Sequence, residues 1–262
     1  MVDLTEVAYE VADRVATLTI NRPDRRNALS PPVLRELLSA LGAAAEDGGV
    51  RAVVLTGAGD RAFSAGADLE AMSGPAASEL DRHRDRGLFA DVFIACSRLG
   101  KPLIGCVNGA ALGGGFGLAL SCDVLVAADS ATFGTPEIRV GLWPMMVMAV
   151  VIRNLGRKRA LELFLSGERI GAAQALEWGF VNRVLPLAEV RDAAQRWATE
   201  LAGWSPEVVR MGRDALHRID GMELEAALRL LQDELTIASL SEDTREGIAA
   251  FLEKRPPHFQ GG

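Results

Sequence analysis

Glu137 stands in Thr132–Pro144 (TFGTPEIRVGLWP) among Phe133, Ile138, Val140, Leu142 and Trp143. A carboxyl with such neighbours loses solvent, its neutral form gains, and it becomes suited to carry a proton. The Pro136–Glu137 pair reads equally as a helix start with proline and an acid in the first turn. Two further segments offer main-chain chemistry. In Asn108–Asp123 (NGAALGGGFGLALSCD) three glycines, Gly113–Gly115, precede the apolar stretch Phe116–Leu120, which predicts bare N–H groups at a helix start. Donors preorganised around a developing enolate oxygen each take roughly 3 to 4 kcal/mol off a barrier. The same glycines also suit close packing between helices. In Gly57–Leu69 (GAGDRAFSAGADL), the small residues Ala65, Gly66 and Ala67 let a ligand lie on bare backbone, or simply make a glycine-rich turn. Gly57, Gly59 and Ala62 match the dinucleotide pattern G-x-G-x-x-A, but Phe63–Gly66 then stand where a helix should open, so that signal is weak.

These segments need strands to deliver them, and the first two-thirds of the chain alternates strands with helices. Thr5–Ala12 and Arg14–Ile20 are rich in Val, Thr and Ile; Arg51–Thr56, Leu103–Val107 and 123–128 are compact apolar strands. Ser30 before Pro31 predicts a helix start, with Val33, Leu34, Leu37, Leu38 and Leu41 on its buried face and Arg35 and Glu36 on the other. The charged stretch Asp81–Arg86 within Ala76–Leu99, ahead of Leu88, Phe89, Val92, Phe93 and Cys96, reads as a solvated helix face or as a flap over a site. From Leu187 the chain reads as wholly helical. Leu224, Leu228, Leu231 and Leu235 form one stripe that needs something to pack against, either the core or another subunit. Ser241 caps a last helix that should stop at Pro256 and Pro257.

Composition narrows the chemistry. The 262 residues, 49% apolar, can bury one large core, or a core with a small appendage. A net charge of -7 with the 28 Lys and Arg scattered leaves no basic field for nucleic acid. The longest apolar run, Leu142–Ile152, is too short for a membrane span, and Met1–Glu10 lacks the pattern of a secretory signal. Cys96, Cys106 and Cys122 fit no disulfide or zinc spacing and read as reduced core residues of a cytoplasmic protein. With only His83, His217 and His258, a histidine metal site is not expected. No G-x-S-x-G elbow, Walker loop or H-E-x-x-H occurs.

Five segments in order resemble the crotonase (enoyl-CoA hydratase/isomerase) superfamily: NRPDRRNAL at 21–29, AFSAGADL at 62–69, KPLIGCVNGAALGGG at 101–115, FGTPEI at 133–138 and EGIAAFLEKRPPHF at 246–259. The resemblance runs from about Ala8 to the end. It implies an α/β fold, the crotonase-like (ClpP/crotonase) spiral of ββα units, with residues 1–200 as the core. Residues 201–262 would be a helical C-terminal region for trimerisation and pocket closure, in a homotrimer or a dimer of trimers. It also implies an acyl-CoA thioester substrate, no separate cofactor, and an oxyanion hole made by the N–H groups of Ala67 and Gly114. Arg25, Arg26 and Ala28 would run along CoA, Ala65 would meet the adenine with Asp68 and Leu69 bordering it, and Phe251 and Lys254 would reach CoA, often that of a neighbouring subunit.

Two departures from the pattern matter. Hydratases of this family pair two glutamates; the second is present as Glu137, but the first falls on Gly117, which can neither hold water nor move a proton. The stretch WPMMVM at 143–148 replaces a glycine-rich one and reads either as an altered acyl pocket, with Trp143 in its lining, or as core. One carboxylate favours a double-bond shift from a 3-enoyl-CoA to a 2-enoyl-CoA. Hydration remains an alternative if another group, from 79–86, positions water; a CoA-ester-binding protein with lost catalysis is a second, and a nicotinamide enzyme a distant third.

Overall fold

The computed structural model describes residues 4–73 and 78–261. In chain order its elements are β1 (Val7–Ala12), β2 (Val15–Ile20), α1 (Pro31–Glu46), β3 (Ala52–Gly57), β4 (Ala62–Ser64), α2 (Leu69–Ser73) and α3 (Glu79–Ser97). Then follow β5 (Leu103–Val107), β6 (Ala110–Leu112), α4 (Gly114–Leu120), β7 (Val124–Ala128), β8 (Thr132–Gly134), a 3-10 turn (Pro136–Val140) and α5 (Met145–Ser166). The chain continues through β9 (Arg169–Gly171), α6 (Ala172–Trp178), β10 (Arg183–Leu185), α7 (Leu187–Leu201), α8 (Pro206–Ile219), α9 (Leu224–Ser239) and α10 (Glu242–Glu253).

Two sheets share these strands, with orders β1-β2-β3-β5-β7-β10 and β4-β6-β8-β9. The first is parallel except for the β1–β2 hairpin, and the second is parallel except where β9 meets β8. Three times in succession the chain lays a strand in the larger sheet, a short strand in the smaller one, and then a helix: β3-β4-α2/α3, β5-β6-α4, β7-β8-α5. This is the ββα spiral that the resemblance implied. All of β3 and β5 is buried, which is why both read as unbroken apolar runs rather than as alternating strands.

Local expectations fared unevenly. Ser30 has the extended backbone of an N-cap and Pro31 follows at the first helical position, but the Ser30 side chain makes no capping bond. The start of α1 therefore rests on proline's fixed φ and on burial of Val33, Leu34, Leu37 and Leu41. The charged stretch 81–86 is helical, within α3, with Ser78 accepting the N–H of Asp81 as a cap; residues 76 and 77 lie outside the described residues. The last helix ends before the prolines, because Lys254 turns into the left-handed region at φ 56° and caps it.

α7 packs on β3, β5 and β7, whereas α8, α9 and α10 pack chiefly on one another, with α8 also touching α3. Three of the four stripe leucines of α9 are uncovered: Leu224, Leu228 and Leu235 are 70%, 57% and 72% exposed, while Leu231 is half-buried. Asp243, in the first turn of α10, is buried and accepts from the Ser205 hydroxyl and from the N–H groups of Gln260 and Gly261.

Candidate active site

The geometry begins with backbone. Leu29 forms a parallel bridge with Ala67: the Leu29 N–H donates to Gly66 O (2.8 Å) and the Asp68 N–H donates to Leu29 O (3.1 Å). Both bonds flank Ala67, so the Ala67 N–H is turned away from Leu29 and left for another acceptor. Gly66, at φ 91°, is pressed against the start of α4; a Cβ there would lie 2.5 Å from Leu112 O and 3.2 Å from Gly114 N. Gly114 opens α4, where an N–H has no carbonyl one turn back to receive it. The two amides that the resemblance implied thus belong to backbone segments in direct contact.

Glu137 approaches the same place from the 3-10 turn. A Cβ on Gly113 would lie 2.9 Å from Glu137 Oε1, so the carboxyl rests against the bare Cα that precedes α4. The Gly113 N–H donates to Gly134 O (2.9 Å), which ties this glycine to the strand that leads into the turn. Among the described residues, Glu137 Oε2 and the Oγ1 of fully buried Thr135 are buried without hydrogen-bond partners. Burial pushes the Glu137 carboxyl above its ordinary value, its own backbone N–H opposing only in part. Native structures rarely leave buried oxygens unpaired, so these two atoms, like Glu6 Oε2, Arg82 Nε and Arg213 Nη1, stand out among the described residues.

Gly117 is one turn into α4 and is buried, and its missing side chain does not leave a gap. A Cβ there would lie 2.7 Å from Phe93 Cζ of α3, as one on Gly114 would lie 2.5 Å from Phe89 Cε1. The face of α4 that carries Gly114 and Gly117 is therefore packed against aromatic carbon.

Around Ala67 the chain is tightly fixed. Arg22 pairs with Glu6, donates to Ala28 O (2.9 Å) and bonds Asp68 Oδ2 at 3.0 Å. Burial opposes ionisation of Asp68, but the Ala71 N–H and the Arg22 guanidinium outweigh it and hold this carboxyl below its usual value. Arg25 is exposed and pairs with Glu70. Arg26 sits at φ 51° and its carbonyl accepts the Ala65 N–H (2.9 Å). Leu69 is exposed beside them. Arg25, Arg26, Ala28, Ala65, Asp68 and Leu69 are thus gathered along one rim beside the Leu29–Ala67 bridge.

Trp143 is half-buried against Phe164, with ring centroids 5.6 Å apart, and its Nε1 donates to Met148 Sδ at 3.4 Å. Phe251 and Lys254 are not brought to this place. α10 lies on α8 and α9, and the tail beyond it reaches Arg51, whose Nη1 donates to Phe259 O at the opposite end of β3 from the Gly57 loop. Phe251 is 82% exposed. The dinucleotide alternative loses its structural basis, because Gly57–Ala62 runs into the strand β4 and no helix opens there.

Sequence reasoning missed the residues that brace the site. Asn108, fully buried, donates to Gly57 O (2.9 Å) and Gly59 O (2.7 Å), Asn27 donates to Ala62 O (2.7 Å), and Arg191 of α7 donates to Gly57 O (2.6 Å). Neither asparagine spacing nor a lone arginine far along the chain signals this. The Phe89/Phe93 pair was visible as helical periodicity, but its glycine partners were not.

Three comparisons place the chain among known proteins. The family description "Enoyl-CoA hydratase/isomerase" matches residues 10–262. The chain is similar to the 2,3-dehydroadipyl-CoA hydratase of Escherichia coli K12, 38% identical over 260 residues covering 98% of this chain and 100% of that one. It is similar also to the short-chain-enoyl-CoA hydratase of Clostridium acetobutylicum, 34% identical over 257 residues and 97% of each. Among solved structures, an enoyl-CoA hydratase from Bacillus anthracis superposes with a TM-score of 0.93 at 33% identity, over 98% of this chain and 100% of that one.

Proposed function

The chain belongs to the enoyl-CoA hydratase/isomerase family, and from that premise we propose that it moves the double bond of a 3-enoyl-CoA to the 2-position, with Glu137 as sole acid/base. The N–H groups of Ala67 and Gly114 hold the thioester oxygen. The Glu137 carboxylate takes a proton from C2, the electron pair delocalises onto the held oxygen, and the same proton returns at C4. A positioned acid/base of this kind is worth roughly 10² to 10⁴-fold. The observation that carries the reading is the half-buried carboxyl lying against Gly113 with one oxygen unpartnered. Gly117, with Phe93 packed against it, offers no second carboxylate.

The rim of Arg25, Arg26, Ala28, Ala65, Asp68 and Leu69 receives CoA, and Trp143 borders the acyl group. The reaction takes no cofactor beyond the CoA of the substrate. The exposed stripe of α9 and the distance of Phe251 and Lys254 from their own chain's site support a homotrimer, or a dimer of trimers, in which residues 201–262 meet neighbouring copies in the cytoplasm. Hydration of a 2-enoyl-CoA is the second reading, favoured by the hydratase names of the two relatives. A paired assay on a 3-enoyl-CoA and a 2-enoyl-CoA, with products weighed by mass spectrometry, separates them: rearrangement without gain of water supports the shift, and rapid gain of water from the 2-enoyl ester overturns it.

A further inference from the structure

α3 presents Phe89 and Phe93, four residues apart and so on one helix face, to Gly114 and Gly117, three apart on one face of α4. The fit is close at both positions. A methyl group added to Gly117 would meet Phe93 Cζ at 2.7 Å and one added to Gly114 would meet Phe89 Cε1 at 2.5 Å. The two rings differ in setting: Phe89 is buried in the core, whereas Phe93 is only half-buried at its edge. The start of α4 thus meets a carboxyl at Gly113 and aromatic carbon at Gly114 and Gly117.

We propose that Phe93 is a specificity-determining residue, which fills the position beside Gly117 and so confines the site to proton shuttling by denying a second anchorage to water. The inference rests on the reading of Glu137 as sole acid/base and extends it. Isomerisation returns the abstracted proton and gains no atom. Hydration requires a water oxygen to bond C3, with one of its protons passing to a base and a proton arriving at C2. An ordered water needs two to four polar partners. Glu137 supplies one, and the Phe93 ring beside Gly117 supplies none. The loss of a carboxylate at position 117 is then only half of the change. The other half is the ring that occupies its room, so that restoring the carboxylate alone would push a side chain into Phe93.

The test is a double-mutant cycle on the full chain with Gly117→Glu, Phe93→Ala and both together, with Phe93→Leu as a milder packing change. Each is given a 3-enoyl-CoA and a 2-enoyl-CoA, and the products are weighed; melting curves record folding. Gly117→Glu alone is expected to hydrate no faster than the parent. The double variant is expected to hydrate roughly 10²-fold faster than Gly117→Glu, and Phe93→Leu to shift products toward the hydrated ester by a smaller factor of the same sign. Hydration by Gly117→Glu equal to that of the double variant, or a product ratio unmoved by Phe93→Leu and Phe93→Ala, overturns the proposal. A parent chain that does not isomerise, or that hydrates rapidly, overturns the earlier reading instead, and shows itself before any Phe93 variant is made.

Discussion

The start of α4 and the surface of α9 are unfinished in opposite ways. Around α4, glycine backbones are pressed between Leu112 O, Phe89, Phe93 and the Glu137 carboxyl, and what is left over is polar: the oxygens of Glu137 and Thr135, buried without partners. On α9 and α10 the excess is apolar, with Leu224, Leu228, Leu235, Ile237, Leu240 and Phe251 turned outward. A few unpaired polar atoms in a tight cradle call for a small ligand, because each needs one well-placed partner. A broad apolar face calls for a surface as broad as itself. One chain therefore advertises two unlike deficits, and each can be tested without disturbing the other.

The sharpest cut is at the cradle. Glu137→Gln should lower turnover roughly 10² to 10⁴-fold while CoA-ester binding, followed by calorimetry, is retained. The raised carboxyl gives the parent rate an acid limb whose midpoint lies above the ordinary 4.5. The same shift means that the folded state holds this proton more firmly than the unfolded one, so the stability Glu137 contributes is present below 4.5 and lost as pH rises through the folded value. Glu137→Gln should therefore not be the less stable protein at neutral pH in urea titrations; a large loss of stability would make the carboxyl a structural rather than a chemical feature.

Next comes Gly66→Ala, which puts a Cβ 2.5 Å from Leu112 O at φ 91°. Strain of that kind costs about 1 to 3 kcal/mol, read from urea midpoints, and here the rate should fall as well because the Ala67 amide shifts. On the other side of the comparison, Leu228→Glu on a free surface would change stability by about 0.5 kcal/mol or less. If copies of the chain cover α9, it should instead lower the assembled mass in light scattering and destabilise well beyond that figure. An unchanged mass and melting curve would remove the apolar deficit as a sign of assembly. The smallest effect is expected at the tail, where Arg255 and the His258 N–H hold Glu246 down to about 2. That clamp is complete above 4.5 and weakens as pH falls toward 2, which hydrogen exchange on 255–261 would show.

Much of this was legible in the residues, for particular reasons. β3 and β5 announced themselves because strands buried on both faces carry unbroken apolar runs, and Gly113–Gly115 because nothing but glycine tolerates such close approach. Glu137 stood out as one carboxyl in apolar company. What did not show was pairing across long separations: Phe93 with Gly117, Arg22 with Asp68, Asn108 with the Gly57 loop. Periodicity tells which face of a helix is apolar, but not which element meets it. Nor did local signals fix every helix end, since Ser30 leaves its cap unmade and Lys254 makes one where proline was expected to act.

Arg191 lies 134 residues beyond Gly57, whose carbonyl it grips. A chain emerging from the ribosome would therefore display this loop long before the fastening arm exists, braced until then by the side chains of Asn27 and Asn108. Closing so distant a contact is slow compared with pairing neighbouring strands. The Gly57 loop should accordingly be among the last parts to become rigid, and the first to loosen when α7 is disturbed.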